Sequence, residues 1–238
     1  MEPVKDKVVL ITGGTKGIGL GIAQALIKEG AKVAVTGRSE HSAVEALRVL
    51  ELVRENKAMS IVADVRKGAD LQRAVTAILE RWGKLDVLVA NAGVGHFSSI
   101  DSLTEEQWHE TIDTNLTGVF LSIKASLAEL KKTKGYIITM ASLAGTNFFA
   151  GASAYNASKF GLVGFTQAVM LDIRASGVKV TTIMPGSVAT NFDNHTPSDA
   201  DAWKIQPEDI GQIVIDLLKM NPRTLPSKIE VRPTIPKG

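Results

Sequence analysis

The segment Val8-Val9-Leu10-Ile11-Thr12-Gly13-Gly14-Thr15-Lys16-Gly17-Ile18-Gly19 sets the architecture of this chain. Its first five residues are apolar or β-branched, which is typical of a buried strand, and a helical pattern begins at its last glycine. Glycines at positions 13, 17 and 19 let the backbone turn tightly and approach a ligand, and the free amides of the following helix favour an anion. The segment therefore predicts a pyrophosphate site for a dinucleotide, and an ordinary glycine-rich turn is the alternative.

Beyond this segment, short β-branched runs alternate with helical patterns almost from end to end. The alternation is typical of βαβ units, in which helices cover both faces of a parallel sheet. We therefore predict an α/β fold, a single Rossmann-like and doubly wound domain over residues 1–238 with about seven strands. The predicted strands are Val8–Thr12, Lys32–Thr36, Met59–Val62, Val87–Ala90, Tyr136–Met140, Val178–Met184 and Lys228–Val231. The predicted helices are Gly19–Glu29, Ala43–Val53, Ala69–Trp82, Glu105–Asp113 continuing through Leu116–Leu130, Tyr155–Ala175 and Pro207–Lys219.

The composition fits one globular domain and excludes several classes of partner. Of the 238 residues, 45% are hydrophobic and 22% are charged, and Lys plus Arg number 27 against 25 for Asp plus Glu. No basic block is long enough to bind nucleic acid, so no DNA or RNA partner is expected. No apolar stretch approaches the length of a membrane span and no apolar signal region is present, so we expect a cytoplasmic protein without a membrane partner.

Thiol and metal chemistry are also disfavoured. The chain has no cysteine, so it forms no disulfide, thiolate nucleophile or thiolate metal site. The four histidines lack the paired spacing of metal ligands, and no metal is expected. They are His41, His96, His109 and His195.

A tyrosine and a lysine lie one helical turn apart in the sequence Ala154-Tyr155-Asn156-Ala157-Ser158-Lys159-Phe160-Gly161. Residues at i and i+4 share a helix face, so both side chains point into one space. A phenol has a pKa of about 10 in water and a neighbouring ammonium favours the phenolate, so we predict a lowered pKa for Tyr155. Ser142 follows the fifth predicted strand and reaches the same space in an open α/β sheet. A core tyrosine beside a surface lysine is the alternative interpretation.

The second predicted strand ends at Thr36-Gly37-Arg38-Ser39, where a dinucleotide fold meets the adenosine ribose. An acidic residue there would accept hydrogen bonds from a free 2′-hydroxyl, whereas a guanidinium forks onto a 2′-phosphate. Arg38, with Lys16 as a second positive charge, therefore predicts NADP(H) over NAD(H). Two solvated surface cations are the alternative.

Taken together, these motifs make the chain similar to the short-chain dehydrogenases/reductases over nearly its whole length. The order and the spacing of the motifs along the βαβ pattern match that family. The matching residues are Thr12-Gly13-Gly14-Thr15-Lys16-Gly17-Ile18-Gly19, Ala63-Asp64-Val65, Asn91-Ala92-Gly93, Asn115, Ser142, Tyr155 with Lys159, and Pro185-Gly186 followed by Thr190.

The resemblance implies a role for each matching residue. Asp64 and Val65 would contact adenine, and Asn115 would hold a helix kink and a water that relays protons to Lys159. The segment 185–190 would clasp the nicotinamide carboxamide. Alternatively, Asp64 is a helix cap and Asn91-Ala92-Gly93 is only a turn. The implied cofactor-binding residues are Gly13, Thr15, Lys16, Gly17, Ile18, Gly19, Arg38, Asp64, Val65, Asn91, Ala92, Gly93, Tyr155, Lys159, Pro185, Gly186, Val188 and Thr190, and the implied catalytic residues are Asn115, Ser142, Tyr155 and Lys159.

The function implied by the resemblance is reduction of a carbonyl group, of ketone or 3-oxoacyl type, to a secondary alcohol. NADPH would supply the hydride, and Tyr155 would give its proton to the developing alkoxide. Ser142 would hydrogen-bond the carbonyl oxygen, and Lys159 would bind the nicotinamide ribose. An NAD-linked secondary-alcohol dehydrogenase and a non-catalytic NADP-sensing module are the alternatives.

The predicted walls of the substrate pocket are the segments Val94–Phe97, Phe148-Phe149 and Asn191–Trp203. Their aromatic content suits an apolar carbonyl compound. The last segment belongs to the long aperiodic stretch 187–206, and loops of this length often bind ligands. His96 is either a substrate contact or a solvated loop residue.

Two departures from the family disfavour docking of an acyl carrier. Ser176, rather than a basic residue, precedes Gly177, and residues 227–238 lack the Asp-Gly-Gly ending of the family's carrier-dependent reductases. Helices over Leu116–Leu130 and Tyr155–Ala175 are apolar on more than one face. Such helices must be buried, so we predict a homodimer or a homotetramer.

Overall fold

The computed structural model describes residues 4–192 and 195–235. Over these residues, seven parallel strands form one sheet in the order β3-β2-β1-β4-β5-β6-β7. The strands are β1 (Val8–Thr12), β2 (Lys32–Gly37), β3 (Ala58–Val62), β4 (Val87–Ala90), β5 (Tyr136–Met140), β6 (Lys179–Pro185) and β7 (Lys228–Val231). The order runs outward from β1 in both directions, which is the doubly wound, Rossmann-like arrangement predicted from the sequence. A crevice for a ligand therefore lies at the carboxyl ends of β1 and β4.

Over the same described residues, seven α-helices connect and cover the strands. They are α1 (Gly17–Lys28), α2 (Glu40–Val53), α3 (Gly68–Trp82), α4 (Glu105–Ile112), α5 (Gly118–Thr133), α6 (Ser153–Ile173) and α7 (Pro207–Lys219). Within the described ranges, none combines the length and the apolar composition that a membrane crossing requires.

Successive side chains of β1 belong to two separate layers of the hydrophobic core. Val9 and Ile11 pack with residues of α1, α2 and α7, and Val8 and Leu10 pack with residues of α3, α5 and α6. The side chains of a strand point to opposite faces in turn, so β1 contributes to both layers. Because every residue of β1 is buried, its carboxyl end and the glycine turn are held rigidly at the centre of the sheet.

Helix α4 passes into α5 through a π-helical turn, Asp113–Thr117. The sequence predicted a helix running on past a kink at Asn115, and the structure places this fully buried asparagine inside the π turn. Such turns occur as single insertions in α-helices, frequently at functional sites.

Three observed helices, α1, α2 and α6, begin two or three residues before the predicted ones, whereas α4 and α7 begin at the predicted residue. Helix α1 begins at Gly17 rather than at residue 19, and α2 begins at Glu40 rather than at residue 43. The start of α2 is set by Ser39, whose hydroxyl accepts a hydrogen bond from the backbone N–H of Ser42. A cap of this kind places a helix start ahead of the first apolar residue, which is where periodicity alone would place it.

Helices α1 and α7 approach closely because two glycines lie at their contact. A Cβ atom on Gly21 would lie 2.6 Å from Cβ of Pro207, and one on Gly211 would lie 2.7 Å from Cβ of Ala25. Both distances are far below the separation that carbon atoms adopt without repulsion. Since Pro207 begins α7, this contact fixes the end of the 187–206 loop against α1.

Gly21→Ala should therefore destabilise the protein by about 2 kcal/mol, because the added methyl group meets Pro207. Gly164→Ala in α6 is the matched control, since a Cβ there has nothing within 4 Å. That substitution should stabilise the protein by ~0.5 to 1 kcal/mol through helix propensity alone. Urea denaturation measures both, and changes of the same sign would contradict the predicted contact.

Candidate active site

The glycine turn between β1 and α1 leaves no space for side chains at its tightest points. Gly13 and Gly17 adopt φ values of +62° and +55°, a left-handed conformation that disfavours other residues. A Cβ on Gly13 would lie 2.7 Å from Cα of Ala92, and one on Gly19 would lie 2.5 Å from the carbonyl oxygen of Gly13. The backbone itself therefore forms the surface of the crevice.

The amino end of α1 keeps its backbone N–H groups available. Lys16 occupies the N-cap position with extended backbone and no side-chain capping bond, and the first turn has no acidic residue. The unsatisfied N–H groups and the positive end of the helix dipole together favour an anionic group there. These features fit the pyrophosphate of a dinucleotide.

Asn91 ties the end of β4 to the glycine turn. Its Nδ2 atom donates hydrogen bonds to the carbonyl oxygens of Thr12 and Gly13, each at 3.0 Å. The backbone N–H groups of Asn91 and Ala92 donate in return to Oγ1 of Thr12, at 3.1 and 3.2 Å. The asparagine thus has a structural part in shaping the crevice, in addition to its position beside it.

The segment after β6 lies against the same turn. A Cβ on Gly17 would lie 3.4 Å from the side chain of Thr190, so the two backbones are close. Gly186 N–H donates to the carbonyl oxygen of Val231 at 2.8 Å. The predicted segment 185–190 therefore borders the crevice on the side opposite β2.

The loop 187–206 is closed at its base by pairing of its two ends. Val188 and Ile205 form an isolated parallel bridge. Ala189 N–H donates to the carbonyl oxygen of Ile205 at 2.9 Å, and Ile205 N–H donates to that of Ser187 at 3.1 Å. Residues 193 and 194, part of the predicted pocket wall 191–203, lie outside the described residues.

The structure brings Ser142, Tyr155 and Lys159 together at the carboxyl edge of β5. Ser142 follows that strand, and its hydroxyl is close enough to the Tyr155 phenol to lower the pKa of that group. Lys159 Nζ lies 5.5 Å from the centre of the Tyr155 ring and donates to the carbonyl oxygen of Met140 at 3.0 Å. All three residues predicted from the sequence therefore face one space.

The pKa of Tyr155 differs from the prediction. Burial raises the pKa of Tyr155, and the hydrogen bond with Ser142 only partly offsets this. Burial also lowers the pKa of Lys159 from 10.5 to about 8. The predicted lowering of the Tyr155 pKa by Lys159 is therefore wrong for this structure, because removal from water penalises both charged forms.

Asn115 fastens three elements around this space. Its Oδ1 atom accepts a hydrogen bond from Val94 N–H at 2.8 Å, and its Nδ2 atom donates to the carbonyl oxygen of Val94 at 2.8 Å and to Oγ of Ser158 at 3.0 Å. Gly93 leaves room beside it, since a Cβ there would lie 3.7 Å from Lys159 Nζ. The π turn thus holds the loop after β4 against the face of α6 that carries Lys159.

Two phenylalanine rings lie beside that of Tyr155, and a third adjoins one of them. The ring centre of Phe97 lies 5.3 Å from that of Tyr155, and the ring centre of Phe192 lies 5.8 Å from it. Phe149 adjoins Phe97 at 6.1 Å, whereas Phe148 points into solvent with 86% of its surface exposed. The predicted aromatic wall therefore consists of Phe97, Phe149 and Phe192.

The predicted adenosine end of the crevice carries two further charged residues, Glu110 and Arg66, that the sequence did not single out. Arg38 follows β2, and its Nη1 atom lies 3.0 Å from Oε1 of Glu110 on α4. The other carboxylate oxygen of Glu110 lies 2.9 Å from Nε2 of His96. Arg66 holds both oxygens of Asp64, with its Nη2 atom 2.6 Å from Oδ2. The pairing of Arg38 with Glu110 has no local signature, because 72 residues separate them.

A sequence profile described as short chain dehydrogenase matches residues 7–201. The chain belongs to this family. The short-chain dehydrogenase is 34% identical over 238 residues to the sepiapterin reductase of Chlorobaculum tepidum, an alignment that covers 95% of this chain and 96% of the relative. It is thus an oxidoreductase acting on CH–OH or C=O groups with a nicotinamide cofactor.

Two crystal structures of relatives superpose over nearly the whole short-chain dehydrogenase. An alcohol dehydrogenase from the archaeon Thermococcus sibiricus, complexed with 5-hydroxy-NADP, matches with a TM-score of 0.91 and 28% identity, covering 98% of this chain and 99% of the other. A 3-ketoacyl-(acyl-carrier-protein) reductase from Brucella melitensis, complexed with NADH, matches with a TM-score of 0.88 and 26% identity, covering 97% and 98%.

The burial of Lys159 has a consequence for stability. The folded pKa of about 8 lies below the ordinary value of 10.5, so the unfolded chain binds more protons between these values. The free energy of unfolding of the ligand-free protein should therefore rise as the pH is raised from about 8 towards 10.5. Lys159→Met should remove this rise and stabilise the protein at pH 7 by roughly 2 kcal/mol.

Lys124→Met is the matched control, since this lysine of α5 is exposed. It should keep the pH dependence of the parent protein. Urea denaturation at pH 7 and at several pH values up to 10.5 compares the three proteins. An unchanged pH dependence in Lys159→Met would show that the amine is solvated.

Proposed function

We propose that this short-chain dehydrogenase uses NADPH to reduce a ketone or 3-oxoacyl carbonyl to a secondary alcohol. The observation that carries the proposal is the convergence of Ser142, Tyr155 and Lys159 on one space at the sheet edge, next to the glycine turn. A non-catalytic NADP-sensing module would require the turn but would have no use for the three side chains.

In this mechanism, bound NADPH supplies the hydride that reduces the carbonyl carbon. Tyr155 donates its proton to the oxygen as negative charge develops on it. Ser142 donates a hydrogen bond to the same oxygen, which positions the carbonyl group and stabilises the charge. Lys159 bonds the nicotinamide ribose, and Asn115 holds the helix and loop that border the amine.

The raised pKa of Tyr155 suits a proton donor. A proton donor must begin the reaction as a neutral phenol, and burial stabilises that form by raising its pKa. Oxidation of an alcohol would instead begin with the phenolate, which burial disfavours.

For the cofactor we propose contacts from several segments around the crevice. Asp64 and Val65 contact adenine, Arg38 and Lys16 contact the 2′-phosphate, and the segment 185–190 contacts the carboxamide. The glycine turn and the amino end of α1 receive the pyrophosphate. The remaining contacts in this proposal are Gly13, Thr15, Gly17, Ile18, Gly19, Asn91, Ala92, Gly93, Tyr155 and Lys159.

Preference for NADP(H) is the finer part of this proposal. Arg38 is 56% exposed at the carboxyl end of β2, where a guanidinium can form two hydrogen bonds with a phosphate. The ion pair with Glu110 favours the second candidate, an NAD-linked alcohol dehydrogenase, because it neutralises Arg38. Related structures complexed with 5-hydroxy-NADP and with NADH correspond to the two possibilities.

The rings around Tyr155 support an apolar substrate. Phe97, Phe149 and Phe192 are between 37% and 52% exposed, so they offer apolar surface beside the proton donor. The loop 187–206, which carries Phe192, is the proposed substrate loop. Ser176 hydrogen-bonds the carbonyl oxygen of Ile173 and presents no positive charge to an acyl carrier.

We propose assembly into a homodimer or homotetramer through α5 and α6. Phe120 of α5 is 44% exposed and its ring lies 6.3 Å from that of Phe165 on α6. Leu171 of α6 is 56% exposed. A second copy of the chain covers such apolar surface in a symmetric contact. A cytoplasmic location stays a prediction.

Tyr155→Phe should lower turnover by about 10²- to 10⁴-fold and leave the Kd for NADPH nearly unchanged, because only the proton donor is removed. The assay follows loss of NADPH absorbance with a panel of ketones, aldehydes and 3-oxoacyl thioesters. Turnover close to that of the parent would exclude Tyr155 as the donor. Tight NADPH binding without turnover of any substrate by the parent protein would favour the sensing module.

The only other tyrosine provides the control. Tyr136 is buried, and its hydroxyl lies 2.7 Å from Oγ1 of Thr181, remote from the catalytic serine. Tyr136→Phe should lower stability by about 1 kcal/mol through the lost hydrogen bond and keep turnover.

Arg38→Asp should lower the NADPH/NADH ratio of kcat/KM by about 10- to 100-fold, because a carboxylate repels the 2′-phosphate and accepts from a 2′-hydroxyl. Arg48→Asp makes the same change of charge at an exposed position of α2, where Arg48 pairs with Glu45. It should leave the ratio unchanged. A ratio unaffected by Arg38→Asp would place the 2′-phosphate elsewhere.

A further inference from the structure

The carboxylate of Glu110 joins the segments that follow β2 and β4, the two strands on either side of β1. One oxygen lies 3.0 Å from Nη1 of Arg38, and the other lies 2.9 Å from Nε2 of His96. Glu110 thus holds the guanidinium that the proposed function assigns to the 2′-phosphate.

The charges around this position balance one another. Arg66 is neutralised by Asp64, with its Nη2 atom 2.6 Å from the carboxylate, and Arg38 is neutralised by Glu110. Without Glu110 the four-residue group would have a net charge of +1. A dianionic phosphate entering this region therefore meets a carboxylate of like sign as well as a guanidinium that is already engaged.

Because the Arg38–Glu110 ion pair is exposed, a phosphate can replace Glu110 as the partner of Arg38. The side chains of Arg38 and Glu110 are 56% and 31% exposed, so both are hydrated and their pairing is weak. A phosphate can form two charge-assisted hydrogen bonds with the guanidinium, and these are stronger than the single contact to Glu110. Glu110 retains its hydrogen bond with His96 after Arg38 leaves, so its carboxylate keeps a side-chain partner.

We propose that Glu110 is a specificity-determining residue that competes with the 2′-phosphate of NADP(H) for Arg38 and so weakens the preference over NAD(H). This inference rests on the proposed assignment of the 2′-phosphate to Arg38. NAD(H) has no group that requires the guanidinium, and its binding leaves the Arg38–Glu110 pair in place. NADP(H) must replace the pair, so the carboxylate lowers the affinity for one cofactor and spares the other.

The test is a double-mutant cycle on the complete protein with Glu110→Gln, Arg38→Ala and the two together. Kd values for NADP⁺ and NAD⁺ are measured by isothermal titration calorimetry at low salt. Glutamine keeps the size and the hydrogen-bonding oxygen of residue 110 but removes its charge. Glu105→Gln is the matched control, because it removes the same charge five residues earlier on α4, where the carboxylate faces solvent.

Glu110→Gln should tighten NADP⁺ binding by about threefold to tenfold. With Glu110→Gln, the Kd for NAD⁺ should stay within about twofold of the parent value. With Glu105→Gln, the Kd values for both cofactors should stay within about twofold of the parent values. Arg38→Ala should weaken NADP⁺ binding selectively. In the Arg38→Ala background, Glu110→Gln should change NADP⁺ binding by less than about twofold, because nothing is left to compete for.

Three results would overturn the inference. If Glu110→Gln and Glu105→Gln changed the Kd for NADP⁺ equally, the effect would be one of general charge. If Glu110→Gln changed the Kd values for NADP⁺ and NAD⁺ equally, the substitution would have altered the shape of the site. Persistence of the Glu110→Gln effect without Arg38 would show repulsion rather than competition. An NADP⁺/NAD⁺ ratio untouched by Arg38→Ala would instead refute the underlying assignment of the 2′-phosphate, which distinguishes failure of the proposed function from failure of the inference.

Discussion

Burial of the Lys159 amine is the constraint around which the site is built. The side chain is 4% exposed, and its Nζ atom has the carbonyl oxygen of Met140 as a hydrogen-bond partner. Burial of a cation in this way costs stability, which the rest of the fold must offset. The two apolar layers on either side of the sheet provide that compensation.

Several unrelated parts of the sequence keep the space around the amine open and fixed. Gly93 lacks the side chain that would crowd Oδ1 of Asn115, and Asn115 uses both polar atoms of its side chain to fasten neighbouring backbone. The π turn that carries Asn115 departs from regular helix geometry, and this departure lets α4 and α5 follow a continuous path past the site. The irregular π turn therefore helps to hold the backbone around Lys159 in place.

Much of this arrangement could be predicted from the sequence, because its causes are local. Buried parallel strands are continuous apolar runs, and Tyr155 and Lys159 meet because four residues make about one helical turn. Other features depend on distant neighbours. Glu110 pairs with Arg38 across 72 residues, and the pKa of Tyr155 rises because of burial that only the folded chain creates. Helix starts were missed where caps such as Ser39 act ahead of the apolar pattern.

The loop 187–206 is closed at its base by backbone pairing. This closure lets the sequence of the loop change without a change in the sheet or the glycine turn. Backbone bonds between Ala189 and Ile205 join its ends, and Pro207 is packed on α1 immediately beyond it. We therefore expect insertions or replacements between residues 191 and 204 to leave the glycine turn and the sheet unaltered. Evolution can therefore exchange the loop as a cassette, and descendants of one scaffold can diversify in the molecules they accept while inheriting the same redox machinery.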